Sequence, residues 1–338
     1  MSVSATRPVP GELEANEFSS VNSNPALPEF VLGTAQLGLK YGRVNDRGKP
    51  TRQEALQIVR HAINRGVFTF DTARAYGDSE EVIGEAAAEG SCANPRIVTK
   101  LDLSGLSEVE SASEVLRRVD ESIESSCQAL RADKLQTVLL HNWVHFRNWG
   151  GAAWERLVEH RNQGTIERLG ASIYEPAEAL DALQCPDIKH LQIPLNILDR
   201  RWSEVIRTAS RDRCDVVVHA RSVLLQGILA HGAERWPAVK GFESRDCILS
   251  LHALTAKFDR VSIADLCFAY VKSLPLNGMV VGCETLEQLD QNLCLFLRPG
   301  LTPKQTEEVE QAFPTAPVEL LNPAKWQQSV QREARYAT

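Results

Sequence analysis

The chain has 338 residues, 43% hydrophobic and 24% charged, enough apolar side chain for a sizeable core in one large domain or two ordinary ones. Its 37 Lys and Arg against 44 Asp and Glu leave a formal charge of −7, which argues against binding nucleic acid through clustered cations. No apolar run is long enough to cross a bilayer, and MSVSATRPVPGELEANEF carries no basic start ahead of an apolar stretch, so membrane and secreted classes are set aside and a cytoplasmic protein is expected.

Residues 1–28, rich in Ser, Pro, Asn and Glu and without periodicity, are expected to form a disordered or loosely packed arm. The first strand is expected at FVLGT (30–34). It is followed by a helix with the capping box Thr51-Arg52-Gln53-Glu54 and an apolar face of Ala55, Val59 and Ala62, flanked by Leu56 and Ile63. That helix closes at Gly66, a position suited to left-handed backbone. The second strand, FTFDT (68–72), precedes a helix starting near Asp78, with Glu81 completing a second reciprocal cap. The third, RIVTK (96–100), precedes a helix spaced on Leu116, Val119, Ile123, Cys127 and Leu130. TVLLH (137–141) leads to a helix over 154–160, RLGAS (168–172) to one over 176–183, and HLQIP (190–194) to one over 203–210. DVVVHA (215–220) is followed by a long excursion over 228–260 and a helix over 262–272, and MVVGC (279–283) by one over 286–295. A last helix is expected at 303–312, ahead of an irregular end.

Eight strand–helix units fit either an open doubly wound sheet or a closed barrel. The first turn, GTAQLGLKYG, lacks the G-x-G-x-x-G spacing of a nucleotide-binding open sheet. The expected fold is therefore α/β, a single-domain (β/α)8 TIM barrel over 29–300 with long loops on its C-terminal face, preceded by the arm and followed by a C-terminal helix and tail at 301–338. Cys92, Cys127, Cys185, Cys214, Cys247, Cys267, Cys283 and Cys294 include no C-x-x-C pair, and buried reduced thiols are expected rather than a structural metal.

In such a barrel the chemistry gathers at the C-terminal ends of the strands. The second strand ends in Asp71, the third in Lys100 and the fourth in His141, with Tyr76 in the turn five residues past Asp71. Singly these are a helix cap, a solvated cation and a structural imidazole. Jointly they place a carboxylate, an ammonium, an imidazole and a phenol on one rim. A free phenol titrates near pH 10, and a nearby ammonium is expected to lower it while the carboxylate holds the ammonium. That set suits reduction of a carbonyl, where charge growing on oxygen meets a positioned O–H.

The run FDTARAYGDSEEVIG (70–84), with VTK at 98–100 and LLH at 139–141, resembles the aldo-keto reductase superfamily from about Phe30 to Phe296. The resemblance implies Tyr76 as general acid, Lys100 and Asp71 tuning it, His141 placing the carbonyl, and NADP(H) or NAD(H) lying over the barrel mouth without a Rossmann fold. It also implies cofactor contacts from Gly33 and Thr34 at the first strand end, and from Ser172 and Gln192 at the nicotinamide carboxamide. In this chain Ile173 replaces the Asn that usually follows the fifth-strand Ser. The seventh-strand run Arg221-Ser222-Val223-Leu224-Leu225-Gln226-Gly227 resembles the pyrophosphate loop, with Arg221 where an aromatic commonly stacks on nicotinamide. The segment GCETLEQLDQN (282–292) matches the adenosine-binding loop and keeps Gly282, Gln288 and Asn292. It holds no Lys or Arg, and Glu284, Glu287 and Asp290 make it acidic. Its chemistry favours NADH and the family's habit NADPH, so both stay open, with Arg298 near enough in sequence to fold back.

Substrate choice is expected from the mouth loops. Trp143, His145, Phe146 and Trp149 lie on the fourth, and His231 and Trp236 on the 228–260 excursion. Trp143 and Trp149 are the candidate substrate contacts, for a sugar aldehyde or a small aldehyde or ketone. A second reading keeps the barrel and nucleotide but makes the protein a non-catalytic nucleotide sensor or regulatory subunit. A third, a metal-dependent isomerase or hydrolase, would rest on His141 and His145. Oligomeric state stays open.

Overall fold

The computed structural model describes residues 28–89, 95–313 and 316–326. The arm expected at 1–28 lies almost wholly outside them, as do Cys92 and the end of the tail. Eight parallel strands close on themselves in chain order: β1 (Glu29–Gly33), β2 (Thr69–Asp71), β3 (Arg96–Leu101), β4 (Leu135–Leu140), β5 (Ile166–Ser172), β6 (Ile188–Pro194), β7 (Val217–Arg221) and β8 (Gly278–Gly282). Each expected strand is present within a few residues of its place. Short runs such as Val31-Leu32 and Val138-Leu139-Leu140 are covered on both faces, the condition that makes parallel strands read as continuous apolar segments.

The outer layer is α1 (Arg52–Asn64), α2 (Ser79–Glu89), α3 (Ala112–Leu130), α4 (Ala152–Asn162), α5 (Pro176–Ala182), α6 (Ser203–Asp212), α7 (Ser244–Lys257), α8 (Ile263–Lys272) and α9 (Leu286–Leu297). The α7 helix lies within the excursion between β7 and β8. Beyond the ring come α10 (Pro303–Ala312) and α11 (Val318–Leu321). The Thr51–Glu54 capping box forms in full, worth about 1 kcal/mol, and Gly66 follows α1 at φ 82°. Among the described residues no helix is long and apolar enough to cross a membrane.

Three local expectations are revised. The buried face of α3 runs through Val115, Val119, Ser122, Ile123, Ser126 and Leu130, and Leu116 is exposed. Two serines belong to that face because they have partners there: Ser122 Oγ accepts from the Asp102 N–H at 3.0 Å, and the Ser126 hydroxyl bonds the buried Glu80. An apolar-only pattern overlooks them. Asp78 does open α2, its carbonyl accepting from the Val82 N–H at 3.0 Å, but its carboxylate pairs with Lys49 and Arg52. Cys294, in an apolar run, is exposed on α9, whereas Cys247, Cys267 and Cys283 are buried.

The interior of the barrel is more polar than the branched aliphatic filling common to the fold. Asp71, Lys100 and Gln192 lie buried at its C-terminal end. Below them the His190 and His219 rings meet edge to face at 4.3 Å, with His219 Nε2 3.5 Å from Glu29 Oε1. Burial holds the His190 imidazole well below its usual range, so it stays neutral.

Candidate active site

At the C-terminal face the strand ends and loops enclose a cavity of about 430 Å3, lined by parts of β1, β2, β6, β7 and β8 and the loops after them. Asp71 and Tyr76 line it, and so do Gly33, Thr34, Gln192, Arg221, Ser222, Leu224, Gln226, Gly282, Gln288 and Asn292. Lys100 and His141 stand behind that wall, each against Tyr76. Ser172 is buried at the end of β5 and is not part of the lining.

Tyr76 is held by its own turn. Arg74, two residues earlier, donates to Glu80 Oε2 at 2.7 Å and to the Gly77 carbonyl at 3.1 Å. Glu80 is fully buried and also accepts from Thr99 Oγ1 at 2.5 Å. Burial pushes its carboxyl up, opposed by the Thr99 and Arg74 contacts. From the other side the helical turn Ala35–Gly38 presses on this turn so closely that a Cβ on Gly38 would lie 1.7 Å from the Tyr76 carbonyl oxygen. Gly77 answers it with φ 59°, and a Cβ there would meet the Gly38 oxygen at 2.4 Å. The two glycines let the chains touch and so fix where the phenol stands.

Beneath the phenol lies a buried ion pair. Lys100 Nζ donates to Asp71 Oδ1 at 2.8 Å and to the Thr72 carbonyl at 2.7 Å. Gln192 Nε2, reaching across the barrel, donates to Asp71 Oδ2 at 2.5 Å. The ammonium is 4.9 Å from the centre of the Tyr76 ring. His141 meets the same ring edge to face at 5.7 Å.

The electrostatics differ from the sequence expectation. The Tyr76 phenol is pushed up from its ordinary value, first by burial and then by the Asp71 carboxylate, while Arg221 opposes the rise. The net lowering expected from the ammonium does not appear, because burial and the Asp71 carboxylate prevail. Burial, with the fields of Lys100 and Arg221, lowers His141 to about 4, so its imidazole is neutral near pH 7.

Several mouth residues escape the sequence reading. Tyr41, Gln36 and Gln291 line the cavity. Tyr174 lies under the Arg221 guanidinium, 4.7 Å from ring centre to guanidinium carbon, while Arg221 Nη2 donates to the Ile173 carbonyl at 3.0 Å. An aromatic two residues past the end of β5 was the available signal for Tyr174. Conversely, Trp143 is buried, stacked on Phe146 at 4.2 Å with its Nε1 donating to Asp181 at 3.0 Å. Trp149 donates to the Ser107 carbonyl at 2.8 Å and lies against His145. Neither tryptophan lines the cavity; packing on the barrel takes both. His231 does line it, whereas Trp236 is buried and stacked on Phe242. Arg298 does not fold back: Asp265 Oδ2 holds its Nε at 2.8 Å.

The lining suits a nicotinamide dinucleotide on three counts. Among the described residues Gln192 Oε1 is buried without a hydrogen-bond partner, an acceptor for a carboxamide N–H. The loop after β7 has left-handed backbone at Ser222, Leu225, Gln226 and Gly227, a conformation that builds anion-cradling concavities, next to the Arg221 cation. Beyond β8, Glu284, Gln288 and Asn292 give the lining polar groups for the rest of the ligand.

The family model described as the aldo/keto reductase family matches residues 29–313. The chain is similar to the aldo-keto reductase YhdN of Bacillus subtilis (strain 168), 25% identical over 189 residues, which is 55% of each chain. An uncharacterized oxidoreductase of Schizosaccharomyces pombe is 24% identical over 124 residues, 36% of this chain and 43% of that one. The chain thus spans about half the length of the curated relatives it matches. Among solved structures it resembles the holo form of an aldo-keto reductase from Bacillus halodurans, with TM-score 0.66, 20% identity, and coverage of 85% of this chain and 92% of that one. A glycerol dehydrogenase from Gluconobacter oxydans superposes with TM-score 0.65 at 20% identity, covering 84% and 90%.

Proposed function

This chain belongs to the aldo/keto reductase family, and on that premise we propose that it reduces a small aldehyde or ketone with a nicotinamide dinucleotide, using Tyr76 as the proton donor. The observation that carries the reading is the convergence of Lys100 and His141 on Asp71 and Tyr76 in the cavity wall, beside the unpartnered carbonyl of Gln192. Gln192, Arg221, the 222–227 loop, Gln288 and Asn292 are the residues to hold the dinucleotide, which when bound in its reduced form supplies the hydride.

The roles follow from the physical chemistry. Burial keeps the Tyr76 phenol protonated at neutral pH, so it stands loaded as an acid. As negative charge grows on the substrate oxygen, the phenol donates its hydrogen bond and then its proton. Arg221, whose field favours the phenolate, offsets part of the cost of losing that proton. Asp71, clamped by Lys100 and Gln192, is a fixed base under the phenol rather than a mobile relay. His141, neutral and edge-on to Tyr76, is placed to direct a hydrogen bond at the same carbonyl without competing as a charged acid.

Replacing Tyr76→Phe tests the assignment. Oxidation of NADH and NADPH is followed against a panel of aldehydes and ketones, and binding through tryptophan fluorescence. We expect turnover to fall at least about a hundredfold while either cofactor still quenches fluorescence. Unchanged turnover would sink the role given to Tyr76. Binding without turnover in the wild-type chain, across the whole panel, would favour the nucleotide sensor instead.

A further inference from the structure

We propose that this chain selects NADH over NADPH and that Glu284, on the loop between β8 and α9, is the residue that discriminates. The inference rests on the reductase reading and deepens it. The cavity takes its lining from Tyr76 and Gln192 on one hand and, beyond β8, from Glu284, Gln288, Gln291 and Asn292 on the other. Of the described residues lining it, Arg221 is the one Lys or Arg, and its field reaches Tyr76 and His141. Among the lining residues that follow β8 the ionisable group is the Glu284 carboxylate. Gln288 fixes it in a reciprocal pair: its Nε2 donates to Glu284 Oε2 at 3.1 Å, and its Oε1 accepts from the Glu284 N–H at 2.7 Å.

Several basic side chains near these residues are already engaged. His61 Nε2 and Arg65 Nε from α1 lie 2.9 and 3.5 Å from Asp290 Oδ1. Arg47 is 3.3 Å from Glu54, with the exposed Glu287 also in its field, so drawing it to a ligand would leave both carboxylates without it. Arg298 is held by Asp265. A ribose 2′-hydroxyl offers the fixed carboxylate a donor. A 2′-phosphate offers it a second anion and no N–H or O–H. Such phosphates are bound by paired Arg or Lys, and the lining supplies neither there.

The test is titration of the full chain with NADH and NADPH separately, by tryptophan quenching, at low and high salt, for wild type, Glu284→Gln and Glu284→Arg. We expect NADH to bind at least tenfold tighter, a difference of about 1.4 kcal/mol. High salt should narrow that ratio, because the penalty on the phosphate is electrostatic, and a purely steric exclusion would not respond. Glu284→Gln should shrink the ratio and Glu284→Arg reverse it, with NADH affinity falling less than tenfold in either. NADPH binding equally well or better in the wild type, or a ratio indifferent to both substitutions, overturns the proposal and leaves the reductase reading standing. Failure of both cofactors to bind a folded wild-type chain overturns the reductase reading itself.

Discussion

Lys100→Met separates what the buried pair does for stability from what it does for catalysis. Lys100 and Asp71 are 1% and 4% exposed, and the ammonium is joined to the carboxylate at 2.8 Å and to the Thr72 carbonyl at 2.7 Å. Removing the ammonium leaves a buried carboxylate with the Gln192 amide as its remaining close donor. Breaking a buried pair from one side costs about 3–5 kcal/mol, a large part of a typical stability of roughly 5–15 kcal/mol. Asp71→Asn strands the ammonium and should cost a similar amount. The double variant strands neither charge, so its loss should fall roughly 2–3 kcal/mol short of the sum of the singles. Urea unfolding followed by far-UV circular dichroism, with linear extrapolation, measures all three. Turnover should be lost in every one of them, including the double, in which neither charge is stranded. Singles costing under about 1 kcal/mol, or a double additive within about 0.5 kcal/mol, would refute the picture of a mutually compensated pair.

The glycine contact behind Tyr76 makes a sharper geometric prediction. Gly38→Ala forces the 1.7 Å approach to the Tyr76 carbonyl to open, and displacement of a reacting group by about 1 Å can cost a hundredfold. Steady-state turnover should fall by that order while NADH still quenches fluorescence, and wild-type rates would show that the turn absorbs the methyl group. His141 gives a pH prediction whose sign is fixed. Its imidazole titrates at about 4 when folded and near 6.5 when unfolded, so only the unfolded chain takes up this proton as pH falls between those values. The group therefore destabilises the native state progressively over that window, by roughly 3 kcal/mol in all. His141→Gln should flatten the decline in stability from pH 6.5 to 4. Parallel decline in wild type and variant would contradict the assigned shift.

By itself the sequence determined the eight-strand barrel, most of its helices and the positions from which Asp71, Lys100 and His141 emerge. Those features are local. A strand buried on both faces must be an apolar run of limited length, Thr51 and Glu54 cap α1 whatever lies beyond, and a residue closing such a run points to the functional rim. The candidate site was legible in residue type for the same reason, as the FDTARAYG run places Tyr76 at a fixed distance from a strand end.

The tertiary structure decided which side chains touch, and that set the electrostatics. Gln192 meets Asp71 across 121 positions of sequence, and Lys100 is engaged by Asp71 and a carbonyl rather than by the phenol. Burial, and after it the Asp71 carboxylate, push Tyr76 up instead of down. Trp143 and Trp149 turn from the mouth to the flank of the barrel, because Asp181 and the Ser107 carbonyl offer partners for their indole N–H groups. Arg298 is taken by Asp265, which leaves Glu284 to set the charge of the lining beyond β8. Periodicity in the chain reports burial one element at a time. Desolvation and ion pairing depend on neighbours that only closure of the barrel brings together.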